Sequence, residues 1–450
     1  MQSCSEQDRW TFYETIKFGD RSSLTMHHHF QCTLCGAEYD PHQVRYVCPS
    51  HGDRGILDTV YDYRQVGAET SPQAISASRD FSIWRYLPLL PLDPSVQSLF
   101  PLQVGWTPLY PAKRSGVLLG LSALFLKDEG RNPTASLKDR ASAVVVGKAR
   151  ELAVETITTA STGNAGAALA GLAAAAQMPA VIFVPQGAPP AKIAQLLIFG
   201  SRVMLVQGNY DQAFDLCLAA SKELGWYCRN TAYNPYTAEG KKTAAFEICE
   251  QLTLLRRNGR SAGREGWQSP DRIFVSVGDG NIISGLWKGL RELAALGWID
   301  RMPKLMGVQA EGSAACYQAW SSGTEEITPV HATTIADSIR ADLPRDGVRA
   351  VRAARATGGA FLTVTDEEIL SAIAALAHRE GIFAEPAGAA AYAGLVKALH
   401  SGMLSSDETI ICLITGNGLK DIASAMKVAG EGTPIEPTLD AVRRFFYKKN

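Results

Sequence analysis

The chain has 450 residues, 46% of them hydrophobic, and 44 basic against 45 acidic side chains, for a formal net charge of −1. This length supports two or three domains with cores of their own, and the near-neutral charge argues against binding to nucleic acid or an anionic membrane. Residues 1–9 lack a secretion-signal pattern, and Gln177 and Pro179 interrupt the strongest apolar stretch, residues 168–184. We therefore expect a cytoplasmic globular protein with a small-molecule ligand.

Two short Cys/His pairs follow an N-terminal extension of residues 1–30. Within residues 31–61, Cys32 pairs with Cys35 and Cys48 pairs with His51, each pair with a two-residue gap and a glycine directly behind it. Such knuckles can arrange four ligands tetrahedrally around zinc, and the glycine permits the tight turn. We predict a zinc-ribbon-like element with a closed, structural site. A ribbon that folds without metal remains the alternative, because His51 stands where a fourth cysteine is more usual.

The sequence changes character twice after this element. Residues 62–105 contain prolines at positions 72, 88, 91, 94 and 101 and little helical periodicity, which predicts an extended linker that wraps the next domain. From residue 106 to 450, short apolar runs such as residues 180–184, 273–277 and 410–414 alternate with longer helix-like segments. This alternation predicts an α/β fold with parallel sheets covered on both faces. Ligands of such sheets bind beyond the carboxyl ends of the strands.

The first candidate for chemistry follows the apolar run that ends near Leu126. An Asn-Pro-Thr turn leads to Ser136, a suitable helix N-cap, and to Lys138, which we expect in the first helical turn. The positive end of a helix disfavours a cation and lowers its pKa, as a Schiff-base lysine requires. By itself, the pattern is also compatible with a merely exposed lysine.

Three further motifs follow strands and contain small or hydroxyl-bearing residues. Small side chains at a helix start leave backbone N–H groups open to an anion, although a tightly packed helix has the same composition and a lone glycine loop is weak evidence. These motifs comprise the turn of Ser161, Thr162, Gly163 and Asn164, the loop of Gly278, Asp279, Gly280, Asn281 and Ile282, and the strand end at Thr415.

In their order and separation, these pieces resemble the threonine synthase family, which belongs to the tryptophan-synthase-β-like enzymes of fold type II that use pyridoxal 5'-phosphate. The resemblance extends from the Cys/His knuckles to about Lys420 and includes residues 105–109, 239–243, 307–312, 365–369 and 385–390. It implies two doubly wound parallel-sheet domains in residues 106–450, with a smaller, mobile domain of about residues 140–235 inserted in the larger one. It also implies a homodimer.

The resemblance implies a role for each motif residue. Lys138 would hold the cofactor covalently, Asn164 would lie near its 3-hydroxyl, residues 278–282 would cradle its phosphate, and Thr415 would bind its ring nitrogen. Ser161, Thr162, Gly163 and Asn164 would receive the substrate carboxylate. A hydroxyl at the ring nitrogen favours eliminations with rapid loss of a leaving group. The implied reaction is proton removal by Lys138, expulsion of phosphate and addition of water, which converts O-phospho-L-homoserine to L-threonine.

Three positions depart from the family pattern. Thr237 stands where the family places an Arg that holds the substrate phosphate, Asp279 replaces an Asn, and Gly388 replaces a Ser. A buried phosphate needs charge-assisted donors, so another cation must act as the clamp, or the substrate differs. We expect Lys241 or Arg340 to substitute. Lys127 and Arg131 are further basic candidates, and for each of the four a solvated surface charge is the alternative.

Two other functions compete with threonine synthesis. One is a β-replacement such as that of cysteate synthase, which has a similar fold and uses O-phosphoserine and sulfite. The other is a non-catalytic protein that uses its zinc ribbon to bind a macromolecule. The near-neutral charge and the complete set of Lys138, Asn164 and Thr415 argue against the second alternative.

Overall fold

The computed structural model describes residues 28–257 and 266–447, so most of the predicted N-terminal extension lies outside the described residues. The strands within these ranges form one small antiparallel sheet and two larger, mainly parallel sheets. No helix in the same ranges combines the length and the apolar character needed to cross a membrane.

The antiparallel sheet carries the Cys/His knuckles. Its strands are β1 (His28–Cys32), β2 (Glu38–Tyr39) and β3 (Leu57–Tyr61), in the order β2-β1-β3. Buried and half-buried residues alternate along β3, as expected for a sheet with one face on the core. Phe30 and Leu57 pack in the same cluster as Val144 and Leu169, which belong to residues 106–450. The small sheet therefore shares its core with the larger body.

Residues 62–105 are more helical than the sequence suggested. They contain α1 (Tyr63–Glu69), α2 (Pro72–Ser76) and the 3-10 helices Ile83–Leu89 and Pro94–Leu99. The expectation of extended chain was therefore wrong in local structure. Asp62 accepts hydrogen bonds from two backbone N–H groups of α1, and Ser71 caps α2, in which Pro72 occupies the first turn. Proline is compatible with a helix at that position because the N–H it lacks would be unpaired there.

The larger sheet has six strands, of which all but an edge strand are parallel. They are β4 (Leu109–Pro111), β5 (Ala123–Asp128), β10 (Arg272–Ser276), β11 (Lys304–Ala310), β12 (Ala360–Val364) and β13 (Thr409–Ile414), in the order β12-β11-β10-β13-β5-β4. Alternate residues face opposite cores: Ile273 and Val275 pack in one cluster, and Phe274 packs in the other. Continuous apolar runs result because both faces are buried.

The smaller parallel sheet lies within residues 157–228. Its strands are β6 (Ile157–Ala160), β7 (Ala180–Pro185), β8 (Arg202–Val206) and β9 (Tyr227–Cys228), in the order β8-β7-β6-β9. Val181 and Phe183 pack in one cluster, and Ile182 and Val184 pack in another. The prediction of parallel sheets covered by helices is confirmed.

The helices that follow residue 112 connect and cover these strands. They are α3 (Lys113–Leu119), α4 (Lys138–Glu151), α5 (Asn164–Ala175), α6 (Pro190–Ile198), α7 (Tyr210–Leu224), α8 (Tyr236–Arg257), α9 (Asn281–Ala295), α10 (Ala315–Ser321), α11 (Gly347–Ala356), α12 (Asp366–Glu380), α13 (Pro386–His400), α14 (Ile422–Ala429) and α15 (Leu439–Tyr447). The sequence motifs follow the carboxyl ends of β5, β6, β10 and β13. Those strand ends therefore define the place to look for a site.

Candidate active site

The loop before Lys138 is attached to the end of β13. Leu137 donates its backbone N–H to Thr415 O at 2.9 Å, and Asn417 donates to Ala135 O at 3.0 Å. Helix α4 begins at Lys138, as the sequence predicted. These bonds place Lys138 and Thr415 at the carboxyl ends of the strands of the larger sheet, although the two residues are 277 positions apart in the sequence.

Ser136 does not cap α4, so that expectation was wrong. Its hydroxyl is buried without a hydrogen-bond partner, and α4 begins without a side-chain cap. The residue instead forms an isolated β-bridge with Gly416, which commits its backbone to an extended pairing. Thr134 donates its N–H to Asp139 at 2.6 Å, so the turn closes on a carboxylate inside the helix. Burial raises the pKa of Asp139 to about 6.

The environment of Lys138 favours the neutral amine. Desolvation lowers the pKa of Lys138 to about 8, the nearby Arg229 adds to this effect, and Asp279 and Glu385 oppose it. The fall from 10.5 to about 8 raises the neutral fraction at pH 7 by roughly 300-fold. A neutral amine is the form that attacks an aldehyde or removes a proton.

At the turn after β6, the backbone of Gly166 lies close to the carbonyl oxygen of Ser161. A Cβ at Gly166 would lie 2.2 Å from Ser161 O, so only glycine allows this closure. Ser161, Thr162 and Gly163 are partly exposed, whereas Asn164 is buried at the start of α5. The Asn164 amide donates to Glu385 Oε1 at 2.7 Å and to Ser338 Oγ at 3.2 Å. The turn is thereby connected to α13 and to the segment before Arg340.

The loop after β10 requires its glycines. Gly280 has a φ of +89°, and a Cβ there would lie 2.7 Å from Asp346 O, while a Cβ at Gly278 would lie 2.8 Å from Ile339 Cα. Asp279 and Ile282 are partly exposed, and buried Asn281 begins α9. The backbone N–H groups at a helix start behind a glycine loop can hold an anion.

The basic residues considered for a phosphate clamp lie in different environments. Lys241 is buried and donates to Asn281 Oδ1, so it contacts the glycine loop. Desolvation and the charges of Lys138 and Arg229 hold its pKa well below the usual range. The side chain of Arg340 is 51% exposed and pairs with Asp337 at 3.0 Å.

The other two basic candidates already have carboxylate partners. Lys127 is buried and pairs with Glu247 at 2.7 Å, and the largely exposed Arg131 pairs with Asp128 at 3.2 Å. Lys127 is therefore part of an internal ion pair, and the structure does not support it as an anion site.

Thr415 lies at the end of β13 with little exposure. Its hydroxyl forms no hydrogen bond within residues 28–257 and 266–447, so it is available to a ligand. A Cβ at Gly388 would lie 3.1 Å from Gly416 O and 3.3 Å from Thr415 N. Glycine in place of the family's serine therefore allows α13 to approach this strand end closely.

Glu385 and Arg229 are site residues that the sequence reasoning missed. Glu385 is 4% exposed, and burial raises its pKa to about 7, against the opposing effects of Lys420 and the Asn164 amide. The Glu-Pro pair at 385–386 was a signal, but only as part of the family resemblance. Arg229 follows β9 without any turn signal, and its proximity to Lys138 depends on tertiary structure.

The four predicted metal ligands converge. One ligand atom from each of Cys32, Cys35, Cys48 and His51 lies within 4.8 Å of the others. His51 Nδ1 lies 3.4 Å from Cys48 Sγ and 4.0 Å from Cys32 Sγ, and the sulfurs of Cys35 and Cys48 are 4.0 Å apart. Such a convergent set of three sulfurs and one imidazole suits a tetrahedral zinc ion.

The two knuckles have matching backbone turns. Gly36 donates to Cys32 O and Gly52 donates to Cys48 O, both at 2.9 Å, and both glycines have positive φ. Tyr39 supports the cluster because its hydroxyl lies 3.1 Å from Cys48 Sγ. The turn chemistry predicted for the two glycines is present.

Several solved structures share the fold. Threonine deaminase isoform 2 from Solanum lycopersicum superposes with a TM-score of 0.60 at 22% identity, and the match covers 72% of this chain and 82% of that one. Diaminopropionate ammonia lyase from Escherichia coli superposes with a TM-score of 0.62 at 18% identity, covering 79% and 94%. At these identities the likeness concerns the fold alone.

Sequence relatives are more informative. Threonine synthase from Methanocaldococcus jannaschii is 38% identical over 416 residues, covering 92% of this chain and 98% of the relative. Threonine synthase from Methanosarcina acetivorans is 39% identical over 424 residues, covering 94% and 99%. The family described as pyridoxal-phosphate dependent enzyme matches residues 101–416. The chain therefore belongs to the pyridoxal-phosphate-dependent enzymes and, among them, to the threonine synthase family.

Proposed function

We propose that this chain is a threonine synthase that converts O-phospho-L-homoserine and water to L-threonine and phosphate. The observation that carries the proposal is the convergence of Lys138, Asn164 and Thr415 from three separate strand ends, in a chain 38–39% identical over more than nine tenths of its length to curated threonine synthases. A β-replacement with O-phosphoserine and sulfite is not favoured by these relatives. A non-catalytic binding role is not favoured either, because it does not explain why Lys138, Asn164 and Thr415 converge.

The residues present fit pyridoxal phosphate. Lys138 offers an amine of lowered pKa to the aldehyde, and the loop with Gly280 at the start of α9 offers backbone donors to the phosphate. Thr415, a buried residue whose hydroxyl has no hydrogen-bond partner among the described residues, would bind the ring nitrogen. When bound, the cofactor supplies an electron sink that permits loss of the substrate's α-proton and of its phosphate.

Each group of the chain then has a separate task. The neutral amine of Lys138 removes and returns protons, which its lowered pKa permits near neutral pH. The turn presents the backbone N–H groups of Thr162 and Gly163 at the start of α5 to the substrate carboxylate, whereas the N–H of Ser161 donates to Phe183 O at 3.1 Å. Asn164 is held in place by its bond to Glu385 and orients the ligand. Because these groups are largely buried, bulk water is excluded from them, and each polar contact with the ligand becomes stronger.

The test is direct. Protein loaded with pyridoxal phosphate is incubated with O-phospho-L-homoserine, and threonine and phosphate are measured together. We expect equal amounts of the two products, and none from a Lys138→Ala control. A parallel assay supplies O-phospho-L-serine and sulfite. Absence of threonine from correctly loaded wild-type protein would refute the proposal, and cysteate formation would assign the alternative reaction.

We also propose that Cys32, Cys35, Cys48 and His51 hold one structural zinc ion. The support is the mutual distance of at most 4.8 Å between their ligand atoms. Four protein ligands leave no open position, so the metal would stabilise the antiparallel sheet and take no part in the reaction. Metal analysis of protein purified without chelator is expected to give about one zinc per chain, and substoichiometric zinc would contradict the proposal.

We propose further that the protein is a cytoplasmic homodimer. Val117 and Leu118 of α3 are 84% and 65% exposed, and Ile198 of α6 is 82% exposed, so apolar surface is available to a second copy. Cysteines in the described residues are free thiols, as is usual in reducing compartments. Light scattering during gel filtration should report twice the chain mass, and cell fractionation should recover the protein with cytosolic markers.

The domain division remains a proposal: ribbon at 31–61, linker at 62–105, and core at 106–450 with a mobile unit at about 140–235. The four-stranded sheet lies inside that unit, which supports the boundary. Hydrogen exchange with and without substrate analogue should change protection across residues 140–235 as a block, whereas unchanged exchange there would contradict a moving unit.

A further inference from the structure

Arg229 is a fully buried cation at the carboxyl end of a strand. It follows β9, and its backbone N–H donates to Thr158 O of the neighbouring β6 at 2.8 Å. The guanidinium Nε donates to Ser142 Oγ at 3.3 Å, and Nη1 donates to Thr231 Oγ1 at 2.9 Å. Nη2 is buried without a hydrogen-bond partner. Both acceptors are neutral hydroxyls, so within the described residues no carboxylate hydrogen-bonds to the guanidinium, and the negative charges of Asp279 and Asp139 act on it only from farther away.

This lack of a counter-charge sets Arg229 apart. Within residues 28–257 and 266–447, no carboxylate oxygen lies within 4.0 Å of its guanidinium. The other buried arginines of these ranges pair with carboxylates: Arg85 with Glu250, Arg140 with Glu129 and Glu247, Arg272 with Glu408, and Arg349 with Asp346. A buried unpaired charge costs several kcal/mol, so its presence indicates an anion supplied from outside the chain.

Two more basic side chains, Lys138 and Lys241, lie near the same interior. Ser142, which contacts Arg229, lies one helical turn after Lys138 on the same face of α4. Buried Lys241 donates to the neutral amide oxygen of Asn281 in the glycine loop and has no carboxylate partner within the described ranges. The charges of Lys138 and Arg229 both lower the pKa of Lys241, so an anion bound beside these basic side chains would favour the charged form of Lys241.

We infer that Arg229 is a phosphate-binding residue of the active site, with Lys241 as the second cation. The inference rests on the proposed function insofar as the phosphate belongs to the substrate. The position expected for a clamp, Thr237, cannot supply this charge, because its hydroxyl is buried and donates to Asn234 O at 2.8 Å. A guanidinium presents a planar fork of donors that matches two phosphate oxygens. The phosphate monoester comes either from the cofactor or from the substrate.

The experiment compares Arg229→Gln and Arg229→Lys with the wild type and with Arg443→Gln, which removes an exposed arginine of α15. The first arm measures the affinity of cofactor-free protein for pyridoxal phosphate and for pyridoxal, by absorbance. The second arm uses protein loaded with pyridoxal phosphate and measures binding of inorganic phosphate and the KM for O-phospho-L-homoserine.

We expect Arg229→Gln to weaken phosphate binding roughly 10- to 100-fold in one arm, the loss of a charge-assisted bond. A loss for pyridoxal phosphate but not for pyridoxal assigns Arg229 to the cofactor's phosphate. A loss for inorganic phosphate and O-phospho-L-homoserine assigns it to the substrate's phosphate. Arg229→Lys keeps the charge but not the fork, so we expect it to restore part of the binding.

A purely structural role makes different predictions. Removal of an unpaired buried cation should leave the Tm of the cofactor-free protein unchanged or raise it, whereas loss of a structural contact lowers it. A lowered Tm with unchanged phosphate binding, or equal losses for pyridoxal and pyridoxal phosphate, would overturn the inference, as would unchanged phosphate binding in both variants. Weakened phosphate binding in Arg229→Gln, together with wild-type protein that forms no threonine, would instead refute the proposed reaction alone.

Discussion

Glu385→Gln should change how the stability of the cofactor-free protein depends on pH. Burial raises the pKa of Glu385 from 4.5 to about 7, so the folded state retains a proton that the unfolded state has lost. Wild-type stability therefore falls as the pH rises from about 4.5 to 7 and stays at the lower level above pH 7. The complete effect is about 3 kcal/mol, of which about 2 kcal/mol falls between pH 5.5 and 8.

The glutamine variant lacks this titration but keeps an oxygen that can accept from Asn164, whose amide lies 2.7 Å from Glu385 Oε1. Its free energy of unfolding relative to the wild type should therefore rise by about 2 kcal/mol between pH 5.5 and pH 8. Urea titrations at the two pH values measure this difference, and Glu436→Gln, at an exposed position, is the control. A variant that differs from the wild type by the same amount at both pH values would refute the reasoning.

Four further changes test other parts of the structure. Lys138→Ala should abolish the visible absorbance of bound cofactor, since the amine of lowered pKa is gone; retained colour would contradict its role. Thr415→Ala should keep the colour but lose roughly 1–3 kcal/mol of transition-state stabilisation in kcat/KM, and unchanged turnover would exclude it. Cys48→Ser should lower the zinc content without loss of cofactor colour. Glu247→Gln should reduce the free energy of unfolding by about 3–5 kcal/mol, because it weakens two buried ion pairs, against about 0.5 kcal/mol or less for Glu436→Gln.

The motifs were recognisable in the sequence because their physics is local. Lys138 begins a helix directly behind a strand and turn, and Gly280 adopts a positive φ that favours glycine. The knuckle of Cys32 and Cys35 closes within five residues, because Gly36 donates back to Cys32 O. The parallel strands are buried on both faces, so they appear in the sequence as continuous apolar runs.

Local structure was less predictable where helix-capping bonds favoured one conformation and the amino-acid composition suggested another. Proline content suggested an extended segment at residues 62–105, but Asp62 and Ser71 supply caps for short helices, and Pro72 occupies a first turn. Serine is a residue type that often caps helices, but the β-bridge of Ser136 with Gly416 holds its backbone in a different conformation. In both segments, specific hydrogen bonds decided the local structure against the average preference of the residue types.

The sequence alone determined the fold class and the motifs, because these depend on periodicity and on turns of a few residues. The order of the motifs carried the family resemblance, and that resemblance implied the cofactor. Tertiary structure decided the electrostatics of the site. Lys127 and Arg229 are both ordinary basic residues in the sequence, but Lys127 meets Glu247 from 120 residues away, whereas Arg229 meets no carboxylate in the described residues. Whether a charge is paired depends on which distant elements pack against it, and burial makes that difference worth several kcal/mol.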